Sequence, residues 1–229
     1  MVKRINNLVQ QQYQAGRDIK NAELKALQAQ INPHFLYNTL DLINWKAIDK
    51  NVPEITEITH ALAKFYKLSL NQGKDVVTLR DEINHISTYV QIQNLRFDEK
   101  IGFCISIPED LYQYGILKLL LQPIVENAII HGILPKKGEN YKGIIEITGS
   151  IDKEDLVLNI RDNGVGITKE KIKSIFNNTN VRNKNGYGIK NINDRIKLYY
   201  GEKYGLTYQS CEEMGTTVTI YIPAIRFKD

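Results

Sequence analysis

Apolar residues recur every three or four positions through the first part of the chain, then give way to alternation. Leu24, Leu27, Ile31 and His34 fall three, four and three apart, as on one helix face. Pro53 opens a second helix, with Ile55, Ile58, Leu62, Phe65 and Leu68 along one stripe. "NQGKDVV" interrupts it at Gly73, and "TLRDE" starts a third helix, with Thr78 placed to cap it and Asp81 where a capping box has its return partner. From Ile101 the texture changes. "IGFCISI" alternates like a strand, and "YGILKLLLQPIVENAIIHG" reads as a helix ending at Gly132 with Pro135 beyond. "KGIIEITGSI" and "EDLVLNIRD" form a strand pair. A polar stretch to Asn185, a helix from about Gly188 to Tyr200, and the strands "GLTYQS" and "TTVTIYIP" complete the chain. The prediction is α + α/β. A helical hairpin covers 1–75, a connecting helix 76–100, and an α/β unit 101–229.

Composition changes this picture little. The 229 residues are 42% hydrophobic and 24% charged, an ordinary globular balance. Thirty basic against 26 acidic residues leave a net charge of +4, with no dense basic run, so nucleic acid is not an expected partner. Cys104 and Cys211 stand far apart and the four histidines are scattered, which gives no zinc spacing. With no run of about 18 apolar residues and no signal peptide, a cytoplasmic chain is expected, with any membrane attachment through segments outside it.

The candidate chemistry lies in five places. In "QINPHFLYNTL", Pro33 cannot donate to the carbonyl of Ala29 and should loosen that turn, at about 3 kcal/mol in a helix interior. A loosened turn beside His34 lets its ring project, and Asn38 lies one turn on, on the same face. In "VENAIIHG", Asn127 and His131 sit at the margin of an apolar stripe, and an amide oxygen there can ligate Mg²⁺. In "DLVLNIRDNGVGI", Leu156, Leu158, Ile160 and Asp162 share one strand face, so Asp162 is a carboxylate ending a buried row. Gly164 and Gly166 then permit a tight turn, and an acceptor beside such a turn suits a ligand with an amine, such as adenine. Gly186 and Gly188 precede a helix whose free amides, with Arg182, Lys184 and Lys190 nearby, suit phosphate. The final strand carries Thr216, whose hydroxyl can fall near Asp162.

Taken in order, Pro-His-Phe-Leu-Tyr-Asn, Glu-Asn-Ala-x-x-His-Gly, Asp-Asn-Gly-x-Gly, Gly-x-Gly-x-x-Asn and Gly-Thr resemble a two-component sensor histidine kinase of the YesM/LytS-like subgroup. The resemblance runs from about residue 24 to 223. It implies a helical dimerisation and phosphoacceptor region followed by an ATP-binding α/β sandwich of the type shared with gyrase and MutL. His34 would be the phosphoacceptor, Asn127 the Mg²⁺ ligand and Asp162 the reader of the adenine amine. Gly164 and Gly166 would form its turn, Gly186 and Gly188 the second glycine box, and Thr216 the small hydroxyl residue near adenine. A homodimer is expected, because two helices bury too little alone, and a response-regulator aspartate would take the phosphoryl group.

Two positions depart from related patterns. ATP-hydrolysing relatives carry a glutamate one turn before the magnesium asparagine; here it is Pro123, which cannot take a proton. Many histidine kinases carry an acid directly after the phosphoacceptor; here it is Phe35, so no general base is assigned. Pro123 argues against a gyrase-type conformational ATPase. Phe35 keeps open an ATP-binding module biased to phosphatase or scaffold activity.

Overall fold

The structure, a computed structural model, describes residues 33–69, 75–97, 99–136, 138, 141–168 and 187–227. The residues before Pro33, Ala29 among them, and the second glycine box at Gly186 lie outside this set. The chain separates into two units, with the boundary between His60 and Ala61.

In the first unit α1 (Pro33–Asp49) turns at Asn51 into α2 (Pro53–Ser69), which runs on past the boundary. Asn51 has φ +54°, and its N–H bonds the carbonyl of Ile48 at 3.0 Å, an αL stop that asparagine tolerates. Leu40, Ala47 and Thr59 are buried. The Asn44 amide lies 3.2 Å from His60 Nε2, so His60 is a structural histidine of the hairpin. Phe35, Leu42, Trp45 and Ile48 remain more than half exposed, a large apolar surface for a soluble helix pair.

The second unit is a five-stranded sheet with helices on one face. β2 (Ile101–Ser106), β4 (Gly143–Asp152), β5 (Asp155–Asp162), β6 (Gly205–Cys211) and β7 (Gly215–Pro223) take the order β2-β4-β5-β7-β6. Only β2 against β4 is parallel. β1 (Val76–Thr78) and β3 (Gly115–Leu117) make a separate antiparallel pair. Ile145, Ile147, Leu156, Leu158, Ile160, Val218, Ile220 and Ile222 cover the inner face, against Ile189, Ile192 and Ile196 of α5 (Tyr187–Tyr200). The outer face is polar: Thr219 Oγ1 donates to Asn159 Oδ1 at 2.7 Å.

Residues 76–100 do more than connect. α3 (Leu79–Arg96) places Leu79, Ile83, Ile86, Tyr89 and Val90 in the same core as the sheet. Its start follows the expected cap: Asp81 N donates to Thr78 Oγ1 at 3.1 Å, and the hydroxyl donates to the Asp81 carboxylate at 2.8 Å. His85, 2% exposed, stacks on Phe65 with ring centroids 4.6 Å apart. Ser69 Oγ gives its proton to the Phe65 carbonyl at 2.8 Å and so accepts from His85 Nε2 at 2.7 Å. Nδ1 is buried with no hydrogen-bond partner among the described residues, and burial, then the Lys118 charge, lowers the imidazole pKa to about 4.

One expected element is corrected. Residues 114–121 are not helix. Gly115–Leu117 pairs with Val76–Thr78, and Leu119 has φ +57°. α4 (Gln122–Asn127) begins where it does because Pro123 is tolerated only in a first turn. Its start is capped from another element. The buried Glu82 carboxylate accepts the N–H groups of Leu119 at 3.0 Å and Leu121 at 2.9 Å. The apolar residues of this segment are buried all the same, Leu117, Leu120 and Leu121 ahead of the helix, Ile124 and Val125 on it, and Ala128 just after it.

Candidate functional site

α4 (Gln122–Asn127) does not continue as a regular helix. Ala128–Ile133 is a π-helical turn, closed by Leu134 N bonding Ile129 O at 2.9 Å. Wide turns of this kind are rare and recur at functional sites. This one brings Gly132 against the loop after β5. A Cβ on Gly132 would lie 2.9 Å from Asp162 Oδ1, and one on Gly164 would lie 2.3 Å from the Gly132 carbonyl carbon. Glycine at 164 lets the two backbones touch, glycine at 132 leaves room for the Asp162 carboxylate, and Val165 N then bonds Gly132 O at 3.0 Å.

Asp162 ends the inner row of β5, 5% exposed, as the alternation predicts. Its Oδ1 accepts the Gly164 N–H at 2.8 Å. Burial raises its carboxyl above the ordinary value, against the opposing pull of the Gly164 and Thr216 N–H groups and the Lys136 charge. Thr216 is its direct partner on β7. Ser210 Oγ donates to the Gly215 carbonyl at 2.9 Å, so the hydroxyl of Thr216, 2.9 Å away, gives Ser210 its proton and turns a lone pair to the cleft. Gly166 has φ +72° and packs on the Cys211 carbonyl, where a Cβ would lie 2.0 Å from the oxygen.

These groups surround an open cleft. Ile124, Asn127, Ala128, His131 and Gly132 line it from the α4 side. Ile160 and Asp162 form its floor, Val165, Gly166 and Ile167 one wall, and Tyr208, Thr216, Val218 and Ile189 the rest. Apolar walls with one buried carboxylate and one lone-pair hydroxyl can sandwich a flat ring and read an exocyclic amine. Asn127 Nδ2 donates to the Pro123 carbonyl at 2.7 Å, so its oxygen is the atom turned away from the helix. An amide oxygen is a hard donor and fits a magnesium ion.

Of the expected site residues, Asn127, His131, Asp162, Gly166 and Thr216 meet at this cleft, and Gly164 stands directly behind Asp162. Gly188 lies in the first turn of α5, exposed, with open space where a Cβ would be. His34 and Asn38 belong to the first unit, where the Asn38 amide lies 3.2 Å from His34 Nδ1. Sequence reasoning missed Gly132, Ser210, Tyr141 and Lys136. The His-Gly dipeptide marked Gly132 only as a helix end, and nothing local to the other three points at the cleft.

Two family models match the chain. Residues 22–101 fit "Histidine kinase" and residues 114–226 fit "Histidine kinase-, DNA gyrase B-, and HSP90-like ATPase". Sensor histidine kinase YesM of Bacillus subtilis (strain 168) is 39% identical over 97% of this chain and 37% of its own length. The chain belongs to the sensor histidine kinase family. Sensor protein LytS of Staphylococcus haemolyticus (strain JCSC1435) is 31% identical over 92% of this chain and 36% of its own. Putative uncharacterized protein YwpD of Bacillus subtilis (strain 168) is 31% identical over 96% of this chain and 76% of its own. The chain thus spans little more than a third of the two named sensors. As a member of this family it carries the family's ATP-binding module in its second unit. Among the described residues no helix is long and apolar enough to cross a membrane.

Proposed function

We propose that this sensor histidine kinase chain transfers the γ-phosphoryl group of ATP to the imidazole of His34, and that a response-regulator aspartate then takes it up. The cleft carries the reading: a buried carboxylate at the end of an apolar row, backed by two glycines that let the turn close around it. In the bound state the Asp162 carboxylate accepts the adenine amine, the Thr216 hydroxyl lies beside the same edge, and Ile124, Ile160 and Ile189 cover the ring faces. Asn127 would hold the magnesium ion, which neutralises phosphate charge when bound.

His34 attacks through a ring nitrogen lone pair. The Asn38 amide nitrogen, Nδ2, lies 3.2 Å from His34 Nδ1 and donates to it, so the neutral ring carries its proton on Nε2. Asn38 is then a positioning residue for the imidazole. The P–N bond forms as the bond from the γ-phosphorus to the β–γ bridging oxygen breaks. ADP leaves with that electron pair, and the imidazole releases its ring proton to water. Pro123, which offers no side-chain base, supports transfer to a protein nucleophile over water activation. The exposed apolar side chains of α1 support pairing of this unit with a second copy of the chain in a homodimer.

Incubation with γ-labelled ATP and Mg²⁺ tests this. Acid-labile label on the wild type and none on His34→Ala is the expected result. Free phosphate without labelled protein favours a conformational ATPase, and nucleotide binding with neither favours a phosphatase-biased or scaffold module.

A further inference from the structure

Lys136 follows the π turn and is not among the basic residues that the sequence singles out for phosphate. Its Nζ donates to three backbone carbonyls, Asn163 O at 2.8 Å, Gly164 O at 3.2 Å and Glu213 O at 2.8 Å. An ammonium has three donors, so all of them are committed to backbone and none is left for a ligand phosphate. Two of these carbonyls belong to the turn after Asp162. The third belongs to the hairpin that leads into Thr216, its strand partner. Tyr141 covers the ammonium, its ring centroid 5.2 Å away, and its hydroxyl donates to Asn163 Oδ1 at 2.9 Å. Asn163 Oδ1 also accepts the Ile144 N–H at 2.7 Å. The turn is held from three sides, and among the described residues bonded to it Lys136 brings the charge.

We propose that Lys136 is a positioning residue of the nucleotide site, whose ammonium ties the Asn163-Gly164 turn to the β6–β7 hairpin and holds the Asp162 carboxylate between them as an acceptor. The inference rests on reading the cleft as an ATP site. The groups that face Asp162 are few. Lys136 approaches from the segment after the π turn, the Tyr141 phenol from the segment before β4, and His131 lines the same cleft from the turn itself. Among the described residues β6 adds the Tyr208 phenol to the cleft lining, and β7 and the glycine turn present backbone N–H groups and the Thr216 hydroxyl. Of the influences on Asp162, burial favours its neutral form, while the two N–H groups and Lys136 favour its charged form. Removing the ammonium therefore raises the pH at which the carboxyl takes up a proton and stops accepting the adenine amine well.

ATP affinity measured by calorimetry from pH 4.5 to 8, for the full chain, Lys136→Met and Lys136→Arg, tests the inference, with urea midpoints alongside. ATP's own titration is common to all three and cancels in the ratios. Lys136→Met should bind about tenfold more weakly at pH 7, and its low-pH loss of affinity should shift upward by at least about half a pH unit. Lys136→Arg should keep the wild-type pH profile because it keeps the charge. If Lys136→Met does not fold, Lys136→Gln takes its place with the same expectation. A charge-removing variant whose pH profile coincides with wild type overturns the inference, whatever its stability. A wild type that does not bind ATP sinks the reading of the cleft itself, a separate outcome.

Discussion

Replacing Asp162 by Asn changes one atom type in the cleft and little else. In the same rotamer the Asn oxygen keeps the Gly164 N–H bond that Oδ1 now makes at 2.8 Å. Its NH₂ then faces the cleft, where the adenine amine also donates. One charge-assisted hydrogen bond is lost, worth about 1.5–3 kcal/mol, and a buried donor is left opposite another donor at a further 1–3 kcal/mol or so. The smaller sum, about 2.5 kcal/mol, is roughly 70-fold in the dissociation constant. Stability should move by at most about 1–2 kcal/mol, because the amide removes the burial cost of the charged carboxylate but offers one acceptor oxygen to the Gly164 and Thr216 N–H groups where the carboxylate offers two. Titration calorimetry with a non-hydrolysable ATP analogue, beside thermal unfolding of both proteins, reads the two effects separately. An Asp162→Asn protein with unchanged melting temperature and affinity within threefold of wild type would refute the adenine contact.

Other perturbations test the surrounding scaffold. Gly132→Ala puts a methyl group 2.9 Å from Asp162 Oδ1 and should cost about 1–3 kcal/mol in stability and more than tenfold in ATP affinity, by urea unfolding and calorimetry. Glu82→Gln turns an NH₂ toward the N–H groups of Leu119 and Leu121 and should cost about 2–3 kcal/mol in a urea titration. His85 has a folded pKa lowered from 6.5 to about 4, so its contribution is complete above the unfolded value and is lost as pH falls from 6.5 toward 4. Wild type should lose about 3 kcal/mol over that window on this account, and His85→Phe should flatten the slope in pH-dependent denaturation.

Much of this was legible in the chain because local signals agreed with tertiary demand. The alternation of Leu156, Leu158, Ile160 and Asp162 survives as the buried face of β5, since register in a one-sided sheet is fixed by that alternation. Thr78 caps α3 as its spacing predicts, while the Asp81 carboxylate takes the Thr78 hydroxyl. The segment from Tyr114 to Leu121 misled because its apolar run suits helix and buried strand alike. Pro123 marked the true start, but the residue that caps it, Glu82, lies some forty positions earlier. The cleft was legible where chemistry sits in short motifs, at Asn127, Asp162 and Thr216. It was illegible where it depends on approach between distant segments: Gly132 against Gly164, and Lys136 reaching carbonyls of two loops. Residues 76–100 read as a connector because their sequence does not reveal that Leu79, Ile83 and Ile86 pack on the sheet.

Transfer of the γ-phosphoryl group to His34 is the claim on which the functional account stands. Tandem mass spectrometry of peptides from the ATP-treated chain, kept at alkaline pH throughout, locates the phosphoryl group directly. The account predicts a phosphoimidazole on His34 that is absent from Asp162→Asn. A phosphoryl group on any other residue, or ATP consumed with His34 unmodified, would contradict it.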